Sequence, residues 1–120
     1  MNEIIYSDEQ LKEKLAYWQK RLRLNDWIIK ATIARQRDFS SSERLGEISY
    51  NIHNKTALIR ILDPVDYDDW EKQNMERILV HELLHLHFAN IHYHFGKDSE
   101  FYEVFEEQAI ESITHGLINN

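Results

Sequence analysis

Apolar residues recur along the chain with two different periods, and the switches between them lay out the elements. Leu11, Leu15, Trp18 and Leu22 fall three or four apart, which predicts an amphipathic helix ending near Arg23 with this stripe as core packing. Ser7 and Gln10 give it a capping-box start, and Asn25-Asp26 marks the turn out. Trp27 to Ile33 is rich in β-branched and aromatic residues and predicts a first strand. Arg35 to Leu45, with Ser40-Ser41-Ser42, is polar and reads as a loop. Glu47 to Ile52, introduced by Gly46, predicts a second strand, and Thr56 to Leu62 a third. Asn54-Lys55 joins these two as a hairpin with His53 at its tip. After the break at Asp63-Pro64, a helix is expected from about Tyr67 to Asn90. Asp66 or Asp68 would cap it, with Asp69 and Glu71 at the positive end of its dipole. The chain should break between Ile91 and Gly96, and Asp98-Ser99 then opens a last helix, Glu100 to about Leu117. The order α-β-β-β-α-α predicts an α+β fold in a single domain spanning 1–120. Its three-stranded sheet should pack against the second long helix.

That helix carries the chemistry. Its apolar run Ile78 to Leu86 contains His81-Glu82-Leu83-Leu84-His85, a H-E-x-x-H pattern. Residues four apart share a helix face, so the two imidazoles can converge on one metal ion. Zinc suits such donors, because it is borderline-soft and takes neutral imidazole in roughly tetrahedral geometry. Glu82 would stand beside the metal as general base and proton shuttle for an attacking water. A helix apolar on nearly all sides is buried, so these polar residues need a reason to be there.

Two histidines do not complete a catalytic zinc site, which usually has three protein ligands. The candidates are His87, His92, His94, His115, Glu103, Glu106 and Glu107. His87 lies about 200° around the helix from His85 and should face away. The continuation H-x-x-G-x-x-H fails, since Phe88 and Ile91 occupy those places. His92 reaches the site only if the helix breaks just before it. On the last helix the apolar face reads Tyr102, Phe105, Ala109, Ile110, Ile113 and Leu117, and Glu106 lies within that stripe. A carboxylate facing a core should be paired or bound to metal, which favours Glu106 as third ligand, with Glu107 second.

Composition narrows the setting. The chain of 120 residues has no Cys, excluding a disulfide framework and a thiolate zinc site. The net charge of −7 argues against nucleic acid as a partner. The clusters at Lys20-Arg21 and Arg35-x-Arg37 read as solvated positions. No apolar run is long enough to span a membrane, and Met1 to Ile5 lacks the features of a signal peptide. The expected location is cytoplasmic, with no membrane partner.

Leu79 to Phe88, followed by Glu106-Glu107-Gln108-Ala109-Ile110, resembles the small phage- and prophage-type zinc metallopeptidases. These are minimal gluzincin-like domains distantly related to the ImmA/IrrE peptidases. The resemblance covers about Thr56 to Leu117 and implies a zincin-like fold binding one zinc ion per chain. Carried over, His81, His85 and Glu106 are the ligands and Glu82 is the catalytic base. It further implies that Thr56 to Leu62 is an edge strand, to which a peptide or protein substrate adds by main-chain hydrogen bonds. Tyr93, His94, Tyr102 and His115 are candidate oxyanion donors. Two alternatives stand beside this metalloendopeptidase of narrow specificity. One is a non-catalytic zinc-stabilised interaction module, closed by His92 or His94 as a fourth ligand. The other is a SprT-like DNA-associated protease, suggested by His94-Phe95-Gly96.

Overall fold

The capping box is formed as the sequence predicts: Ser7 Oγ accepts from the Gln10 amide at 3.2 Å, and Gln10 Oε1 accepts from the Ser7 amide at 2.9 Å. It opens α1, Asp8–Arg21, which buries Leu11, Leu15 and Trp18. This is a computed structural model, and it describes residues 2–118. Three strands follow: β1 Ile28–Ala34, β2 Gly46–Asn51 and β3 Thr56–Leu62. Two helices complete the fold, α2 Met75–Leu84 and α3 Glu100–Ile118. The architecture is α+β, with a small mixed sheet and three helices.

The sheet order is β1-β3-β2, parallel between β1 and β3 and antiparallel between β2 and β3. Thr56–Leu62 is therefore the central strand, not the edge that the family resemblance implied. Ala57, Ile59 and Ile61 of this strand are all buried. The edges are β1 and β2. Register sets Gly46, Ile48 and Tyr50 of β2 opposite Ile61, Ile59 and Ala57, so all six point to one face of the sheet. The buried residues of that face belong to one core with Met75, Leu79, Val80 and Leu83 of α2 and Leu11, Leu15 and Trp18 of α1.

The motif helix is shorter than its hydrophobic pattern predicts. It begins at Met75, not near Tyr67, because Asn74 caps it through Oδ1 to the Arg77 amide at 3.0 Å. Just before it the backbone is claimed from outside. Ile4 donates to the Gln73 carbonyl at 2.9 Å, and the Met75 amide donates to the Ile4 carbonyl at 2.8 Å. At its other end α-geometry stops at Leu84. A 3-10 turn, His85–Phe88, an α-turn, Ala89–Ile91, and a π-turn, His92–Gly96, lead to α3.

The loop expected between β1 and β2 includes a 3-10 turn, Gln36–Asp38. It is pinned at both ends. Arg35 makes a bidentate pair with Asp66 at 2.8 and 3.2 Å. Glu47 Oε1 accepts from the Ser40 hydroxyl and, at 3.2 Å, from the Ser40 amide, while Oε2 lies 3.4 Å from Arg60. Burial works against the Glu47 charge, but Ser40, Arg44 and Arg60 together hold its carboxyl below the usual range.

Candidate metal centre

His81 of α2 and His85, which caps its C-terminal end, stand one turn apart on the side that meets α3. Their rings are 5.3 Å apart, and both are about one-sixth exposed. Each ring nitrogen has a carboxylate beside it. Glu107 Oε2 lies 3.2 Å from His81 Nε2, and Glu107 Oε1 lies 3.0 Å from His85 Nε2. The outer nitrogens are held separately: His81 Nδ1 is 2.7 Å from Glu111 Oε1, and His85 Nδ1 is 2.6 Å from Glu106 Oε2. Arg77 anchors Glu111 in turn at 2.6 Å.

The carboxylate that meets both Nε2 atoms is thus Glu107, whereas the hydrophobic stripe favoured Glu106. Of the two, Glu106 is the buried one, 8% exposed as the stripe predicts, whereas the Glu107 side chain is 53% exposed and reaches both Nε2 atoms from the flank of the helix. The helix is turned so that Glu106, Ile110 and Thr114 are buried, leaving Phe105 and Ile113 of the expected apolar face 65% and 42% exposed. Glu106 remains in the site on the far nitrogen of His85, with its Oε1 buried and without a hydrogen-bond partner among the described residues. Glu111 was missed from the sequence. A signal was available, since it follows Glu107 by four residues, the same spacing as His81 and His85.

One donor atom each from His81, His85 and Glu107 lie within 4.8 Å of one another. Two imidazoles and a carboxylate are a zinc donor set, and carboxylates on both outer nitrogens fix the tautomer that turns Nε2 inward. The residues fit the ion. Among the described residues this is the only such cluster, and neither His92 nor His94 belongs to it. His87 is exposed and points away, as its position on the helix predicts. Without a metal, burial pulls the His85 pKa down, but Glu107 and Glu106 override this and raise it to about 9. His81 is raised too, with Glu107 overcoming its burial, and the two histidines hold the Glu107 carboxyl well below its usual range. Metal binding must therefore displace protons.

Glu82 is 8% exposed, and burial raises its pKa although both histidines oppose the shift. It lines a cleft of 640 Å3 with His81, His85, Glu103, Glu106 and Glu107 on the helical side and Arg44, Gly46, Ile48 and Tyr50 on the strand side. His92 also lines it. Of the residues considered as oxyanion donors, Tyr93, His94, Tyr102 and His115 are all absent from this lining, whereas Tyr50 and His92 belong to it. β2 approaches α2 closely because position 46 is glycine. A Cβ there would run into Ile78 Cγ2 and lie 3.2 Å from Glu82 Oε2.

No protein-family model, curated protein or solved structure matches this chain. The reading of the centre therefore rests on its own chemistry.

Proposed function

We propose that the protein is a zinc-dependent peptidase, with His81, His85 and Glu107 as ligands and Glu82 as general base. The observation that carries this reading is the convergence of Glu107 on both Nε2 atoms while Glu106 and Glu111 occupy the outer nitrogens. Glu106 becomes a positioning residue, which revises the ligand set implied by the family resemblance. When bound, zinc supplies Lewis acidity toward a carbonyl oxygen and lowers the pKa of water from 15.7 to about 7.

The chain's own groups do the rest. Glu82 takes the proton of the attacking water and passes it to the leaving amine, and its raised pKa suits both halves of that transfer. Glu106 and Glu111 keep both imidazoles aligned. β2 is an edge strand beside the cleft, so its free main-chain groups can pair with an extended peptide. A cleft open beside a three-donor centre favours this reading over a zinc module closed by four protein ligands. The net charge of −7 likewise disfavours a DNA-associated protease.

The test is zinc content and hydrolysis of a quenched-fluorescent peptide library by chelator-treated, zinc-reloaded protein. Glu107→Ala should lose the ion, while Glu106→Ala should weaken it by about 10- to 100-fold. Glu82→Gln should keep one zinc per chain and lose about 10²- to 10⁴-fold in hydrolysis. Failure of the wild type to bind zinc, or undiminished turnover by Glu82→Gln, ends the reading. Loss of zinc in Glu106→Ala but not in Glu107→Ala would restore Glu106 as the ligand.

A further inference from the structure

The two ends of the cleft carry opposite charge. We infer that they select peptides by charge, with Glu103 holding a basic side chain at the Tyr50 end and Arg44 holding an acidic group at the Gly46 end. This rests on the peptidase reading and concerns which peptides that site accepts.

Four carboxylates line the cleft: Glu82, Glu103, Glu106 and Glu107. Three are engaged. Glu107 faces both imidazoles, Glu106 holds His85, and Glu82 is buried against the strand. Glu103 is different: it is exposed and makes no ion pair or side-chain hydrogen bond among the described residues. Arg44 is the sole Lys or Arg in the lining. Its Nε bonds Ser41 Oγ at 3.0 Å, and its nearest carboxylate, Glu47, is 3.9 Å away and engaged by Ser40 and Arg60. Its side chain is 54% exposed, and its two terminal nitrogens make no bond among the described residues.

The elements set these charges at opposite ends. Gly46, two residues after Arg44, shares a second recess of 200 Å3 with Arg77 of α2 and Glu111 from a later turn of α3, and neither Arg44 nor Glu103 lines it. Tyr50 lines only the larger cleft, with Glu103 and Glu106 from the earlier turns of α3 and with His92, whose ring lies 5.8 Å from that of Tyr102. β2 and α3 therefore run in opposite directions along the cleft. A peptide pairing antiparallel to β2 would enter with its amino-terminal half at Tyr50 and Glu103, and leave with its carboxyl-terminal half at Arg44. The favoured substrate has Lys or Arg before the scissile bond and Asp, Glu or a free carboxylate after it.

An exposed ion pair is worth about two- to fivefold in affinity, and a reversed peptide meets repulsion at both ends, so roughly tenfold should separate the two orientations. The experiment uses fluorescein-labelled decapeptides and the zinc-treated Glu82→Gln protein, which binds without cutting. One peptide is Lys-rich in its amino-terminal half and Glu-rich in its carboxyl-terminal half, a second reverses this, and a third is uncharged. Anisotropy should rank the first above the third and the third above the second. Glu103→Lys and Arg44→Glu should each narrow the spread, and together invert it. Equal affinities, or a ranking that survives the double variant, would overturn the inference. Zinc is measured on the same samples so that the two readings fail separately. Bound zinc with charge-blind peptide binding removes only the selectivity. Charge-ranked binding without zinc upholds the recognition and removes the hydrolase. Loss of both removes both.

Discussion

At Gly46 a missing side chain lets an edge strand reach the floor of the site. Adding one methyl group there forces β2 away from Ile78 of α2, so Gly46→Ala should cost about 1–3 kcal/mol in chemical denaturation. Ile78→Ala in the same chain should recover part of that loss, a non-additivity that a remote pair would not show. The residues of the centre differ in how far the sequence discloses them. His81, Glu82 and His85 are legible because four-residue spacing on one helix is a local fact, independent of the rest of the fold. Glu106 and Glu107 are neighbours separated by about 100° of rotation; the apolar stripe locates the buried one, Glu106, but only the packing of α3 on α2 brings the half-exposed Glu107 to both Nε2 atoms.

At the scale of elements, α3 turns its carboxylates toward α2 and leaves Phe101, Val104 and Phe105 outside, 80%, 54% and 65% exposed. Phe105→Ser should therefore change stability by no more than about 0.5 kcal/mol. Ile110→Ala, at a fully buried position one turn on, should cost about 2–5 kcal/mol. Equal losses would mean that the helix sits in the phase its hydrophobic stripe suggests. The three strands and α1 were readable from alternation and capping. The start of α2 was not, because Asn74 competes with several acidic residues as a cap, and Ile4, distant in sequence, settles the contest. The Ser40–Glu47–Arg60 clamp was also hidden, since its members meet only once the loop folds back on the sheet. Its pH behaviour follows from the lowered pKa of Glu47. The folded state prefers the ionised carboxylate, so the clamp's contribution is complete above the usual value of 4.5 and is lost as pH falls below it. Glu47→Gln should thus be less stable than wild type at neutral pH, by about 1–3 kcal/mol. Denaturation midpoints should draw together as the solution is acidified.

Across the whole molecule, no helix among the described residues is long and apolar enough to cross a membrane. One core joins α1, the sheet and α2, while α3 contributes Ile110 and, partly buried, Leu117 and Ile118. The pairing of Ile4 with Gln73 and Met75 is a main-chain seam between parts of the chain far apart in sequence, and the Tyr6 amide extends it to Met75 Sδ, 69 residues away. Closing a loop of that length costs roughly 4 kcal/mol of chain entropy before any contact repays it. Parallel pairing of β1 with β3 adds further long-range closure. The helix that bears His81 and ends at His85 begins at this seam, so its first turn should form late in folding. The candidate centre is therefore built onto a part of the molecule whose arrival is governed by topology.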